Sequence, residues 1–323
     1  MSQPLDLITI MKDVWRYMQQ GTQAPPQYSP EFLTVAINNE HRKLIAKMSE
    51  GHNRYFLKFK DYKINNTTRQ EEYLPDDCFM RISVVPVDSQ TGRPLGDPIK
   101  RINTADTYTR WTGYLIRGNK IEFWNLGSFS GSIRLYYEHT IPDLCCGIAT
   151  MSGDDMILSS NPTDDSVDTL VNGGTLKGAG ATSRRNDYYN DAEIMIVSAL
   201  TNGDRQIARI ADYTGNTRTL SVEEWPVGTP SGDVDDPIVY SILPVIPEEF
   251  QQLLVFGGWM GIADPNYYAK ARLYYDELYE RFVSFLDNED KSTPIRVLNA
   301  DGEHYPGATV PYPGYVNFGN YFP

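Results

Sequence analysis

"ARIADYTGNTRTLSVEEW", Ala208 to Trp225, decides what kind of fold this chain adopts. Apolar and polar residues alternate on both sides of Tyr213-Thr214-Gly215-Asn216, and a Gly-Asn pair between two alternating runs is a β-hairpin signature. Both ends of the chain instead carry apolar residues at spacings of three and four, the period of an amphipathic helix. Strand-rich sequence between helical ends predicts an α+β fold.

Working outward, "AEIMIVSA", "RQIARIADY" and "TRTLSVEEW" follow one another at short intervals with glycine-containing turns between them, as in a small antiparallel β domain. Upstream, residues 150–187 are rich in Gly, Ser, Thr, Asn and Asp and have no sustained period, so they read as a long loop or a set of short strands. Downstream, "IPEEFQQLLVFGGWMGIAD" begins a helix with proline first and two acids in its first turn. Gly257-Gly258 lowers its propensity but permits close packing against another helix. Asp264-Pro265 resembles a fresh N-cap and first position, and Tyr268, Ala271, Tyr275, Leu278, Phe282 and Phe285 mark one face of the next helix, which makes a helical hairpin with the first.

At the other end, Leu7, Met11, Val14, Trp15 and Met18 form one apolar face. After "GTQAPPQY", Ser29-Pro30-Glu31 opens a second helix whose face carries Leu33, Ile37, Leu44 and Met48. His41 falls on that stripe and reads as a structural histidine with its hydrogen bonds satisfied, rather than as a ligand. From Arg54 the period changes from about 3.6 to 2, and "RYFLKFK", "FMRISVVPV", "GYLIRGNKIEFW" and "SIRLYYEHT" read as strands, with Gly118-Asn119 as a hairpin turn. The expected organisation is therefore a first helical part over 1–52, a first antiparallel β region over 53–144, an inserted small β domain over 145–245, a second helical part over 246–288 and an extended arm over 289–323. The helical parts before and after the β regions are expected to fold together as one bundle.

The arm contains "HYPGATVPYPGYVNFGNYFP", whose prolines and glycines forbid long regular elements. Its aromatics, Tyr312, Tyr315, Phe318, Tyr321 and Phe322, suit anchors for docking on a partner, and the other reading of the segment is a solvated, disordered tail.

Charge narrows the function classes. With 29 Lys and Arg against 42 Asp and Glu, the net charge of -13 opposes long-range attraction to nucleic acid or an anionic membrane. Cys78, Cys145 and Cys146 include two neighbours in sequence, which rarely satisfy disulfide geometry, so the set points to a reducing compartment. No basic start leads into an apolar core, so a secretory leader is not expected, and the longest apolar run, Leu253 to Ala263, is well short of the ~20 residues of a membrane span.

Chemistry is hard to find. The chain has no P-loop and no G-x-S-x-G elbow, and "NGGTLKGAGATS" lacks the strand before it and helix after it that a phosphate site needs. None of His41, His52, His139 and His304 is paired at the spacing of a helical zinc site, so no metal and no cofactor is expected. Asp76-Asp77, Asp154-Asp155, Asp164-Asp165, Glu223-Glu224 and Asp235-Asp236 are carboxylate pairs that a glycosidase could use, but in so acidic a chain they read first as solvated charges. The 22 tyrosines lack the positive groove of a single-strand binder and suit wet protein interfaces instead.

The order of the pieces adds to this. The N-terminal helix pair, "EEYLPDDC", "WTGYLIRGNKIEFW", "SIRLYYEHTIPDL" and "PVIPEEFQQLLVFGGW" before a Tyr-rich last helix together resemble the head-to-tail adaptor (connector) proteins of tailed bacteriophages, over most of residues 1–288. The resemblance implies a non-enzymatic virion protein, assembled in the host cytoplasm, whose helical bundles pack side by side in a ring, typically twelve-fold, below the portal. Its implied partners are other copies of itself, the portal, tail nozzle or fibre proteins and passing DNA, without a membrane. The stretch from "NDYYNDAEIMIVSAL" to "DPIVYSI" is similar to a small β module inserted in phage structural proteins. Its Tyr213, Thr214, Gly215 and Asn216 are expected to form a projecting tip. The other readings are a receptor- or glycan-binding phage structural protein that uses the insertion, and a carbohydrate-active enzyme that uses two acids. Acidic side chains facing a lumen would repel phosphate and keep DNA from sticking.

Overall fold

The structure is a computed structural model that describes residues 4–18, 30–50, 56–66, 68–102, 112–127, 129, 131–158, 183–202, 205–233, 237–262, 265–289 and 298–299. The fold is mixed α+β: helices from both ends of the chain flank a central β region and a closed six-stranded barrel. Contacts gather into two compact units, Met1–Glu50 with Thr140–Asn288, and Gly51–His139 with Glu289–Pro323.

In the first unit, α1 (Leu7–Tyr17) buries Leu7, Ile8, Ile10, Met11, Val14 and Trp15. Its start is fixed by Asp6, whose carboxylate accepts from Thr9 N at 3.0 Å and Thr9 Oγ1 at 2.7 Å, a side-chain cap that satisfies an otherwise orphaned donor. Helix α2 (Pro30–Ser49) buries Leu33, Ile37, His41, Leu44 and Met48 on one face. A 3₁₀ turn, Glu248–Phe250, precedes α3 (Gln252–Ile262), so the helix expected from Pro247 starts later than its sequence suggests. Apolar residues occupy every side of α3, which is the pattern of an enclosed helix. Close packing explains the glycines: a Cβ on Gly257 would lie 2.1 Å from Cγ of Glu40, and one on Gly258 2.8 Å from Cγ1 of Ile37. Helix α4 (Pro265–Glu289) buries Ala271, Phe282 and Leu286, and Phe282 and Phe285 pack on Phe250 at ring distances of 5.2 Å. The N-cap position expected at Asp264 lies outside the described residues.

The barrel closes in the order β10-β11-β8-β7-β12-β9, from β7 (Cys146–Ser152), β8 (Asp155–Leu158), β9 (Glu193–Ser198), β10 (Ile207–Thr214), β11 (Thr219–Val222) and β12 (Ile238–Ile242). Its interior holds Met156, Ile194, Ile196, Ile210, Leu220 and three tyrosines, Tyr189, Tyr213 and Tyr240. The polar stretch expected to hold loop or short strands contributes the end of β7 and all of β8, which pair as a hairpin; residues 159–182 lie outside the described set. The helices are joined to the barrel and its entry by specific bonds. Leu7 N donates to Ser241 Oγ at 3.0 Å, and the Asn38 amide pairs with both backbone groups of Leu144, at 2.9 and 2.7 Å.

The second unit carries β1 (Leu57–Lys63), β2 (Arg69–Tyr73), β3 (Cys78–Val87), β4 (Gly113–Arg117), β5 (Lys120–Trp124), β6 (Ser132–His139) and β13 (Leu298–Asn299). One sheet runs β13-β1-β6-β3 and the other β2-β5-β4. The Gly118-Asn119 hairpin forms between β4 and β5 as the sequence predicts. The two sheets share a core of Tyr62, Ile64, Val84, Ile121, Phe123, Ile133, Leu135 and Tyr137. At one end of it, buried Lys58 donates to Asp77 Oδ2 at 2.9 Å while Tyr137 OH donates to Oδ1 at 3.1 Å.

Candidate functional site

The hairpin tip differs from its expected form. Tyr213 pairs with Leu220 and Thr214 with Thr219, so both belong to the ladder and the turn is Gly215 to Arg218, with Arg218 at φ 55°. Tyr213 is a core residue, stacked edge-on against Tyr189 at 4.8 Å, and its hydroxyl donates to Ser183 O. Gly215 is buried: its N–H donates to Asn186 Oδ1 at 3.0 Å, and a Cβ there would lie 2.3 Å from the Arg184 carbonyl. The segment around residues 183–190 therefore crosses the turn and leaves Thr214 and Asn216 as the exposed members of the quartet. The expected projecting tip is in this sense corrected: half of it is interior, because the large ring of Tyr213 is drawn into the barrel. The arm residues Tyr312, Tyr315, Phe318, Tyr321 and Phe322 lie outside the described residues.

The groups that could carry chemistry are dispersed or occupied. Among the described residues no cluster of three or more His, Cys, Asp or Glu is placed to hold a metal. The three cysteines form no disulfide, and burial pushes the Cys145 thiol up to about 11, away from thiolate reactivity. Of the acid pairs, Asp77 is held by Lys58 and Tyr137, Asp154 and Asp155 are exposed at the β7-β8 turn, and Glu223 faces Arg209 at 3.8 Å. Asp164-Asp165 and Asp235-Asp236 lie outside the described residues.

The helical layer of the first unit has a distinct surface. Leu273 on α4 is 69% exposed and Val35 on α2 57%, each on a helix whose opposite face is packed. Phe32, one turn before Val35, is also exposed, as are Tyr268 and Tyr274 on α4 and Tyr17 on α1. Tyr17 stacks on Trp259 at 5.5 Å and Tyr274 on Phe256 at 5.6 Å, so these partly exposed rings continue outward from the buried core. Periodicity predicts the buried stripes, except that Tyr268, expected on the apolar face of α4, is exposed, and it does not single out Phe32, Val35 and Leu273. The available signal was that each is a large apolar residue off the stripe of its own helix.

One polar contact links α2 and α4, and a second polar group on α2 is buried without one. Glu40 on α2 is 2% exposed and accepts from Tyr275 OH of α4 at 2.5 Å and from Lys43 Nζ at 3.0 Å. Desolvation, then the bond to Glu40, pushes the Tyr275 phenol well above its ordinary range, so it remains a donor. His41 is buried as expected but not satisfied as expected: neither ring nitrogen has a hydrogen-bond partner. Burial, and then the Arg42 charge, hold its imidazole down to about 3, so it is neutral in the folded protein.

No helix among the described residues is long and apolar enough to cross a membrane. Compared with known proteins, the chain matches no family model and no curated protein.

Proposed function

We propose that this chain is a non-enzymatic virion structural protein, a head-to-tail adaptor whose copies form a ring under the portal, join capsid to tail and leave a passage for DNA. The observation that carries the reading is the helical layer: large apolar residues stand exposed on α2 and on α4, on faces opposite those packed in the subunit. Closed rings need two different, complementary faces on each subunit, and two separate helices presenting such residues supply the raw material for them. The order of sequence motifs that resembles phage adaptors supports the same reading. The barrel is then the inserted β module, and the aromatic arm reaches a neighbouring subunit or the portal, in a twelve-fold assembly. The net charge of -13 suits a wall that DNA slides past without binding.

The test is the mass of the full-length protein, alone and with the portal of its parent particle, followed by electron cryomicroscopy of that particle. A closed oligomer of about a dozen copies, with a central opening, is the expected result. A chain that stays monomeric at all concentrations and with portal present refutes the reading.

A further inference from the structure

The outer faces of α2 and α4 match each other in both polarity and spacing. At about 100° per residue, Phe32, Val35, Asn39, Arg42, Lys43 and Ala46 fall on one stripe of α2, opposite its buried stripe, and all are exposed. On α4 the corresponding outward stripe is Ala269, Leu273, Asp276, Glu277, Glu280 and Ser284, again exposed throughout and opposite buried Ala271, Phe282 and Leu286. One stripe runs from apolar to basic and the other from apolar to acidic, in the same chain direction.

The match extends to position. From Val35 to Arg42, and from Leu273 to Glu280, is the same two-turn interval of about 10 Å. With the helices parallel and Val35 set against Leu273, Phe32 comes level with Lys270, Asn39 with Glu277, Arg42 with Glu280 and Ala46 with Ser284, while Lys43 comes level with Arg281 and reaches acid only diagonally, at Asp276 or Glu280. A seven-residue repeat of this kind keeps two helices in contact over several turns. Antiparallel docking instead brings Arg42 and Lys43 to the 265–270 end of α4, whose one charged residue is Lys270. Arg42 and Lys43 each engage a carboxylate of their own chain, Asp143 and Glu40, but their side chains remain 58% and 72% exposed. Neither Glu277 nor Glu280 has a basic partner among the described residues.

We infer that a second copy of this chain covers these surfaces: α2 of one subunit docks in parallel on α4 of the next, with Val35 on Leu273 and Arg42 on Glu280. The inference rests on the ring reading above and deepens it by naming both halves of the subunit interface. Because the two faces differ, the contact is heterologous and repeats from subunit to subunit until it closes. Both stripes lie in the same compact unit, so each copy presents one of each.

The experiment uses full-length protein with Val35→Asp or Leu273→Asp, both at exposed positions, with thermal melting to verify folding. Each variant alone is expected to be monomeric by mass photometry and sedimentation velocity. An equimolar mixture is expected to give a species of twice the 36.6 kDa chain mass and nothing larger, since one intact α2 face meets one intact α4 face and the pair cannot extend. As a check on register, oxidised Val35→Cys/Leu273→Cys chains should form an intermolecular ladder that Val35→Cys/Glu280→Cys chains do not. If wild-type rings form and both aspartate variants still form them, or if the second cysteine pair cross-links as well as the first, the pairing is overturned while the ring stands. A wild-type chain that is monomeric even with portal overturns the ring and this inference with it.

Discussion

Acid should loosen the helical layer, and His41 should be the reason. The imidazole is neutral in the folded state because burial holds it down to about 3, whereas the unfolded chain protonates near 6.5. A folded value below the unfolded one means stability is full above pH 6.5 and is lost as pH falls, because only the unfolded chain gains the proton. The slope is about 1.4 kcal/mol per pH unit, so going from pH 7.5 to pH 5 should cost about 2 kcal/mol, which is roughly a 30-fold change in the opening equilibrium. Hydrogen exchange of α2 and α3 amides, expressed as protection factors to remove the intrinsic pH dependence, reads this locally, with strands β1, β3 and β6 of the other unit as an internal reference. His41→Leu should abolish the acid slope in α2 and α3. It should also raise protection at pH 7.5, since it removes two buried nitrogens that have no partner. If His41→Leu keeps the wild-type slope between pH 7.5 and 5, the titrating group lies elsewhere and the reasoning fails.

Other perturbations follow from the packing. Tyr275→Phe leaves one oxygen of buried Glu40 without its phenolic donor and should cost about 2 kcal/mol in urea unfolding of the first unit. Lys58→Met should destabilise the second unit by about 3 kcal/mol by removing the buried cation that faces Asp77, and Lys58→Met/Asp77→Leu should recover most of that, as seen by circular dichroism melting. Gly215→Ala should lower thermal stability by more than the ~0.5 kcal/mol of an ordinary surface change, because its methyl would press on the Arg184 carbonyl. An unchanged melting temperature would show that the 183–190 segment does not cross the turn in solution.

Periodicity made the helices and strands legible because burial imposes it on both. The stripes through Leu7 and Val14, Leu33 and Leu44, and Ala271 and Phe282 are the buried faces in the structure. The turn was misplaced by two residues because Gly-Asn is a strong local signal, whereas Tyr213 answers to the barrel interior, a tertiary demand that no local window contains. Likewise the glycines of α3 announced a close approach without naming Glu40 as the group approached. The unpartnered state of His41 could not be read either, since a histidine on an apolar stripe has the same sequence whether or not a partner reaches it. The outward stripes are readable in the sequence too: Val35 and Leu273 depart from the polar pattern of a solvated face, a departure that carries meaning only where such residues gather into a patch.

The enclosure of α3 has a consequence for how the chain matures. Its apolar surface is covered largely by α1 and α2, which precede it by roughly two hundred residues, with the whole strand region of the other unit made in between. As the chain leaves the ribosome, α1 and α2 therefore emerge without the element that completes their core, while β1 to β6 already have most of their partners. We expect protease resistance to arise first in residues 57–139 of a stalled nascent chain and in α1 and α2 only after α3 is exposed. Until then the inward face of α2 lacks its main cover, so synthesis of α3 sets the moment at which the helical layer gains a solvent-excluded core.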